Sequence, residues 1–472
     1  MTVRARVHAG SYCWEDRPSL LPASGKRESN GYHILVLALA MGMIYANLPI
    51  YAYVLNAGLL PKLMYFGLVI LMTPLLFMQR RLLTAYVVSP FVLWAGCLVL
   101  LNLIHLTGLP QGGDVGGAYL IDVRMDAQRA LILTRIQALL FTIVLGFVLY
   151  TCTKKSWLAT AAVLALLIPC AVLVDFMLPG LWYPVETSGA VLGRAAAMFI
   201  NPNMAGEAIL HVFLLACVVT PARYRGPLFV LAGAAIVTTF SRSAIIAWTL
   251  LFAFLVYQGS LSKTTMLITA LAGAIAFAYL GQFEHYLLSR SELEDASGNI
   301  LARLDFFSDI KFDDDSSEER ASVLKAGWEL FLQNPVFGAG AGATHFWSHR
   351  GSTHNQLVQL AAEYGLFGIG LWGWMVLNLW RGRFFEERGL QMATVFLFVF
   401  MSMFAHHMFD SPSYWLTTFA LASARAGPSC AFRRGTTGPG RGTRNAASTD
   451  RATLAWSYET MRGLKQPGWV SR

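Results

Sequence analysis

Residues 227–258 read PLFVLAGAAIVTTFSRSAIIAWTLLFAFLVYQ. Arg242 is the single charge in this apolar run, and it stands between two serines near the middle. As one membrane helix the run would hold a guanidinium at mid-bilayer, which costs several kcal/mol. As two helices, 227–240 and 243–258, it places Arg242 at a membrane rim, where a long side chain reaches the headgroups. The basic loops favour two. With two helices, Arg80-Arg81, Lys154-Lys155, Arg223 with Arg225, Lys263, and Arg381 with Arg383 collect on one side, together with Lys26-Arg27 and Arg433-Arg434 in the tails. That is the bias of cytoplasmic loops. With one helix the parity flips midway and the same loops split between both faces.

Composition agrees with a lipid solvent. The chain has 472 residues, 56% hydrophobic and only 13% charged, with a mean hydropathy of +0.51. Soluble domains carry about a quarter charged residues, so too little polar material is present to cover a water-facing surface. The length therefore indicates one all-α bundle with loops, not several soluble domains. The net charge of +9 sits in short loops and at both ends, which is a topology signal. No basic stretch is interleaved with exposed aromatics, so nucleic acid is not an expected partner. Of six cysteines, Cys97, Cys170 and Cys217 fall inside apolar runs, Cys152 ends one, and Cys13 and Cys430 lie in polar tails. No CxxC occurs, which argues against a disulfide framework or a zinc site. The first thirty residues lack the apolar core of a cleavable signal peptide.

Outward from 227–258, further apolar runs occur at 33–55, 62–78, 86–105, 131–151, 157–178, 203–220, 264–281, 355–379, 390–408 and 412–424. A span needs about 20 residues, and the sequence yields a polytopic helical bundle of about twelve transmembrane helices with both ends cytoplasmic. The expected organisation is a cytoplasmic tail at 1–32, a transmembrane domain at 33–424 and a cytoplasmic, disordered tail at 425–472. Outer segments are expected at 106–130, 179–202 and 282–354, the last being a large loop. Within that loop Ser316-Ser317-Glu318-Glu319 forms a capping box. Ala321, Leu324, Trp328 and Phe331 then recur at helical spacing as one apolar face, and Asn334-Pro335 ends the helix. An amphipathic helix lying across the bundle mouth is expected. Neither an internal repeat nor a helix broken at mid-membrane is read, which weighs against a transporter or flippase of lipid-linked glycans.

Polar groups abut apolar helices at four places on the predicted outer side. Arg194 precedes Asn201-Pro202-Asn203, where the asparagines serve either as helix caps or as ligand contacts. Ser241-Arg242-Ser243 is either a turn whose arginine snorkels or an anion contact. Arg320 is either paired with Glu318 or Glu319, or free to bind an anion. His354 and Asn355 enter the tenth span, where an imidazole titrating near neutrality can take a proton from a hydroxyl. His345, His349 and His354 lack the cysteine or carboxylate company of a metal site, and no metal or cofactor is expected. His406-His407 with Asp410 carries the same low weight, and Asp313-Asp314-Asp315 reads as a solvated acidic turn.

Four ordered stretches resemble the O-antigen ligase and polymerase superfamily of bacterial membrane glycosyltransferases. They are Phe199-Ile200-Asn201-Pro202-Asn203 with Ala205, Thr239-Phe240-Ser241-Arg242-Ser243, Asn334-Pro335-Val336-Phe337-Gly338-Ala339-Gly340, and His354-Asn355-Gln356 with Glu363-Tyr364-Gly365-Leu366-Phe367-Gly368. The likeness covers residues 190 to 380; before that only hydropathy matches. It implies a metal-independent, inverting transfer at the periplasmic face of the inner membrane. The donor would be an undecaprenyl-diphosphate-linked saccharide, and the acceptor a glycan or lipid A-core. Carried over by position, Arg194, Arg242 and Arg320 would bind the donor diphosphate and His354 would be the acceptor's base. Arg124, Arg129 and Arg135, with Asn201, Asn203 and Asn355, are further candidates.

Overall fold

A computed structural model describes residues 31–56, 59–107, 125–151, 154–178, 181–182, 194–218, 220–262, 264–265, 267–269, 271, 315–347, 352–381, 387–405, 408–409 and 414–424. All lie in the first of two compact units, 1–427 and 428–472. The run 272–281, most of the large outer loop, both tails, Arg124, His349, His406, His407 and Asp410 lie outside the described residues.

The described helices are α1 (Gly31–Tyr45), α2 (Leu48–Leu55), α3 (Pro61–Met78), α4 (Arg80–Val87), α5 (Pro90–Thr107), α6 (Met125–Thr151), α7 (Lys154–Met177), α8 (Pro202–Cys217), α9 (Ala222–Thr238) and α10 (Arg242–Tyr257). They continue as α11 (Asp315–Gln333), α12 (Gln356–Arg381), α13 (Arg388–Ser402) and α14 (Tyr414–Ala424). No strand occurs among them. Proline opens α3, α5 and α8, where its missing N–H costs nothing. Five helices are long and apolar enough to cross a membrane: α3, α5, α6, α7 and α12. The pair α1 and α2 would be a sixth, and α8, α10 and α13 are apolar but shorter. Large apolar side chains point outward on the long helices, among them Phe66, Phe77, Leu100 and Leu167. A water-facing surface does not carry so many, and together they form a lipid-facing belt. The chain is a multi-pass helical membrane protein.

Three elements depart from the sequence reading. The run 355–379 is interrupted at Gly365, where the backbone leaves helical geometry (φ 63°, ψ −143°) and bends so sharply that a Cβ on Gly368 would lie 2.0 Å from the Leu360 carbonyl oxygen. The run 33–55 is not one straight helix: α1 and α2 meet at 64° around Ala46-Asn47, and Asn47 adopts a left-handed φ of 51°. This is a broken span where none was read. Continuous hydropathy hides it, although Pro49 marks the restart. The run 86–105 divides at Ser89-Pro90 into the end of α4 and the whole of α5.

The break inside 227–258 falls where Arg242 placed it. The helices α9 and α10 fold back on each other, with Trp248 stacked on Phe229 at 5.0 Å and its indole N–H donating to the Phe229 carbonyl at 3.3 Å. Gly233 permits this approach: a Cβ there would stand 2.3 Å from the Trp248 ring.

Contacts at the helix ends sort the bundle into two faces. Arg225 at the start of α9 grips Glu387, just before α13, with hydrogen bonds of 2.6 and 2.7 Å. Ser260, just past α10, donates to the same carboxylate at 3.4 Å, and Gly389 packs on Gln258. One face therefore holds the start of α9, the end of α10, the end of α12 and the start of α13. The opposite face must hold the end of α9, the start of α10 and Leu366, the first residue of α12 past its break at Gly365. The start of α8 joins it through Gly206, whose added Cβ would lie 2.5 Å from Ala244.

Helix α11 packs along the outer part of α12, with only Phe331 of the anticipated face buried. Val323, Ala326 and Leu330 are buried in a cluster with Ala339, Ala343, Trp347 and Ala362, and Phe331 is also buried. Ala321, Leu324 and Trp328 are exposed. The helix carries two apolar stripes, and spacing alone does not say which one meets the bundle.

Candidate functional site

The segment leading into α8 is built from backbone polar groups turned inward. Asp175, near the end of α7, accepts from the Ala196 and Ala197 N–H groups at 2.8 Å each. A short 3₁₀ turn, Ala197–Phe199, follows. Asn201 caps α8 by accepting from the Asn203 N–H at 2.9 Å, so the capping alternative holds for Asn201. Arg194 is tied from the other side. Its Nε donates to the Thr239 carbonyl at 2.8 Å, and its Nη2 donates to Asn203 Oδ1 at 3.1 Å. The Ala195 N–H bonds to the Thr238 carbonyl at 3.0 Å. Arg194 is thus anchored to the turn Thr239-Phe240-Ser241 that delivers Arg242 as the first residue of α10. Arg194 and Arg242 are half-buried, while Asn201 and Asn203 are exposed.

A second group forms where α12 begins. Thr353 donates to the Asn355 carbonyl at 3.0 Å, and Asn355 Oδ1 caps the helix by accepting from the Val358 N–H at 3.0 Å. His354, half-buried, lies between them, and Thr353 packs on Gly327 of α11. Arg320 stands exposed two turns earlier on α11, and Arg129 is exposed on the first turn of α6. The first group lies at the starts of α8 and α10; the second reaches the same face through α11, which carries Gly327 against Thr353 and leads to the Pro335 carbonyl bonded by the Leu366 N–H.

Backbone strain coincides with these segments. Among the described residues, positive φ outside glycine occurs at Asn47, Ala197, Ile200, Phe240 and His354. Four of the five lie in the three segments. Such conformations cost roughly 1–3 kcal/mol each and persist where surrounding contacts enforce them, commonly at binding sites.

Beneath His354 runs a polar ladder on one side of α12. Gln356 donates to Gln359 Oε1 at 3.2 Å, and Gln359 donates to Glu363 Oε1 at 3.4 Å. Glu363 is a buried hub. It pairs with Arg135 at 2.5 Å, accepts from Thr344 at 2.7 Å, and has His345 Nδ1 at 3.5 Å. Tyr364 donates to Asn102 at 3.0 Å, and its ring stacks on His105. Asn102, Arg135, Gln356, Gln359, Glu363 and Tyr364 contribute to the lining of a cavity of about 20 Å³, room for roughly one water. The glycine turn after α11 locks onto the same place. Ala339 and Gly340 donate to the Ala362 and Glu363 carbonyls at 2.7 and 3.2 Å. Gly338 and Gly365 both have positive φ, and a Cβ on either would meet backbone within 2.4 Å.

Arg194 and Arg242 are half-buried and Arg129 and Arg320 exposed, whereas Arg135 is buried and committed to a carboxylate. Glu363→Ala would leave its guanidinium uncompensated in the core, at about 3–5 kcal/mol. We expect a markedly lower thermal midpoint for that variant in detergent, with partial recovery when Arg135→Met is added.

Sequence reasoning assigned no role to Asp175, Glu207 or Glu363. Glu207, buried in α8, accepts from the Trp415 indole at 2.7 Å and joins α8 to α14. A lone carboxylate in an apolar run was the available signal in each case. Among the described residues no three His, Cys, Asp or Glu side chains converge as metal ligands.

The family model described as O-antigen ligase matches residues 227–373. The match takes in the 239–242 turn, α11, the glycine turn, His354 and Glu363. Arg194 lies outside it but is hydrogen-bonded to Thr239 within it. No curated protein matches the chain.

Proposed function

We propose that this chain, whose residues 227–373 match the family model described as O-antigen ligase, transfers or polymerises a saccharide from a polyprenyl-diphosphate-linked donor during cell-surface polysaccharide synthesis. The donor is undecaprenyl-diphosphate-linked, the acceptor is a growing glycan or lipid A-core, and the site faces the periplasm from the inner membrane. About twelve spans with both termini cytoplasmic suit that placement. The observation that carries the reading is Arg194 bonded to the very turn that bears Arg242, with His354 in the segment that leads into α12.

The chemistry follows from those groups. The acceptor hydroxyl oxygen attacks the anomeric carbon as the carbon–oxygen bond to the diphosphate breaks. Charge develops on the leaving diphosphate, and guanidinium groups donate to its oxygens in bidentate fashion and stay charged at any relevant pH. Arg194, Arg242 and Arg320 supply them, which makes a metal unnecessary. His354 takes the hydroxyl proton. Attack opposite the diphosphate inverts the anomeric centre. Anchoring of Arg194 by a carbonyl and an amide presets its geometry before the donor arrives.

Helix breaks between α1 and α2 and at Gly365 of α12 are features a transporter would use. The first, at Tyr45-Ala46-Asn47, holds no ionisable pair; the second lies beside Glu363, which is closed on Arg135 in a buried pair, while Arg194 and Arg242 gather at one face. Deleting the gene and resolving surface polysaccharide on a gel tests the proposal. Uncapped lipid A-core indicates a ligase and single-repeat caps indicate a polymerase; unchanged polysaccharide would overturn both.

A further inference from the structure

The unpaired stripe of α11 has a definite continuation. Leu324, Trp328, Leu332 and Val336 follow one another at steps of four residues, and all are exposed. At the end of the stripe Phe337, also exposed, stacks on Phe367 of α12 at 5.5 Å. Residues 359–365 of α12 are all buried, and Leu366 and Phe367 begin its outward-facing apolar surface. The Leu366 N–H bonds to the Pro335 carbonyl at 2.8 Å, which fixes this junction. The stripe is therefore an extension of the lipid-facing side of a membrane-crossing helix, not an isolated patch.

We infer that α11 is seated in the bilayer leaflet on the site's side, with lipid acyl chains covering Leu324, Trp328, Leu332, Val336 and Phe337. A helix buried on one stripe against the bundle and on another in lipid is held as an interfacial helix is held, and an indole suits that boundary. The seating places Arg320 and the neighbouring start of α12 at headgroup level. The inference rests on the chain being membrane-embedded and is independent of glycan transfer.

Site-specific photo-crosslinking of the full chain in phospholipid nanodiscs tests it. Leu332→p-benzoylphenylalanine leaves the packed stripe untouched, because Leu332 is 59% exposed. Irradiation is expected to add the mass of one phospholipid at position 332, as it does for Phe66→p-benzoylphenylalanine on the lipid-facing side of α3. The same probe at Ser322 is expected to add little. A Phe66 adduct without one at position 332, or capture of protein at position 332, would overturn the inference.

Discussion

Substituting His354 is expected to lower glycan transfer by about 10²–10⁴-fold, the usual contribution of a positioned general base, at unchanged protein level. A sugar hydroxyl is too weak an acid to attack unaided, and His354 is the imidazole placed at the entry of α12 on the arginine face. Its backbone complicates the choice of variant. With φ at 48°, alanine adds strain that a change in chemistry alone would not. Asparagine tolerates left-handed backbone better. His354→Asn should therefore keep the thermal midpoint of the parent while losing transfer, and His354→Ala should lose transfer with a small drop in midpoint. Surface polysaccharide from a complemented deletion strain reads activity, and a melting curve reads the fold. Full complementation by His354→Asn would remove the base from the mechanism.

Arg242→Ala should cost about 10²–10³-fold, the typical effect of deleting one preorganised donor to developing charge. Arg242→Lys should recover only part, because an ammonium lacks the planar fork that matches two phosphate oxygens. Arg194→Ala is expected to be at least as severe. Arg194 donates to the Thr239 carbonyl and to Asn203, so its loss also loosens the turn that aims Arg242. The two losses should not add in the double variant, since both act on one turn. Full activity of Arg242→Ala would exclude the diphosphate clamp.

The parts of this molecule legible in its sequence were those where one charge interrupts hydropathy. Arg242 fixed the break between α9 and α10 because lipid penalises a buried guanidinium. Asn201 announced itself as a cap through the following proline. The bend at Asn47 was hidden, because a helix can break within apolar residues without changing their hydropathy. The packing of α11 was also hidden: Leu324 and Trp328 satisfy helical spacing as well as Val323 and Leu330 do, and lipid and protein both accept apolar side chains. The hub at Glu363 depends on Arg135, 228 residues away in sequence, a pairing that no local pattern encodes. Sequence could flag the carboxylate as anomalous but could not name its partner.

Sided labelling of single cysteines tests the central claim most directly. Arg242→Cys, His354→Cys and Ser262→Cys would each be placed in a chain with its native cysteines replaced, then treated with a membrane-impermeant maleimide on intact spheroplasts and on inverted vesicles. Positions 242 and 354 should label on spheroplasts, and position 262, on the opposite face, only on inverted vesicles. Labelling of 242 or 354 from the cytosolic side alone would contradict a shared periplasmic site for the arginines and the imidazole.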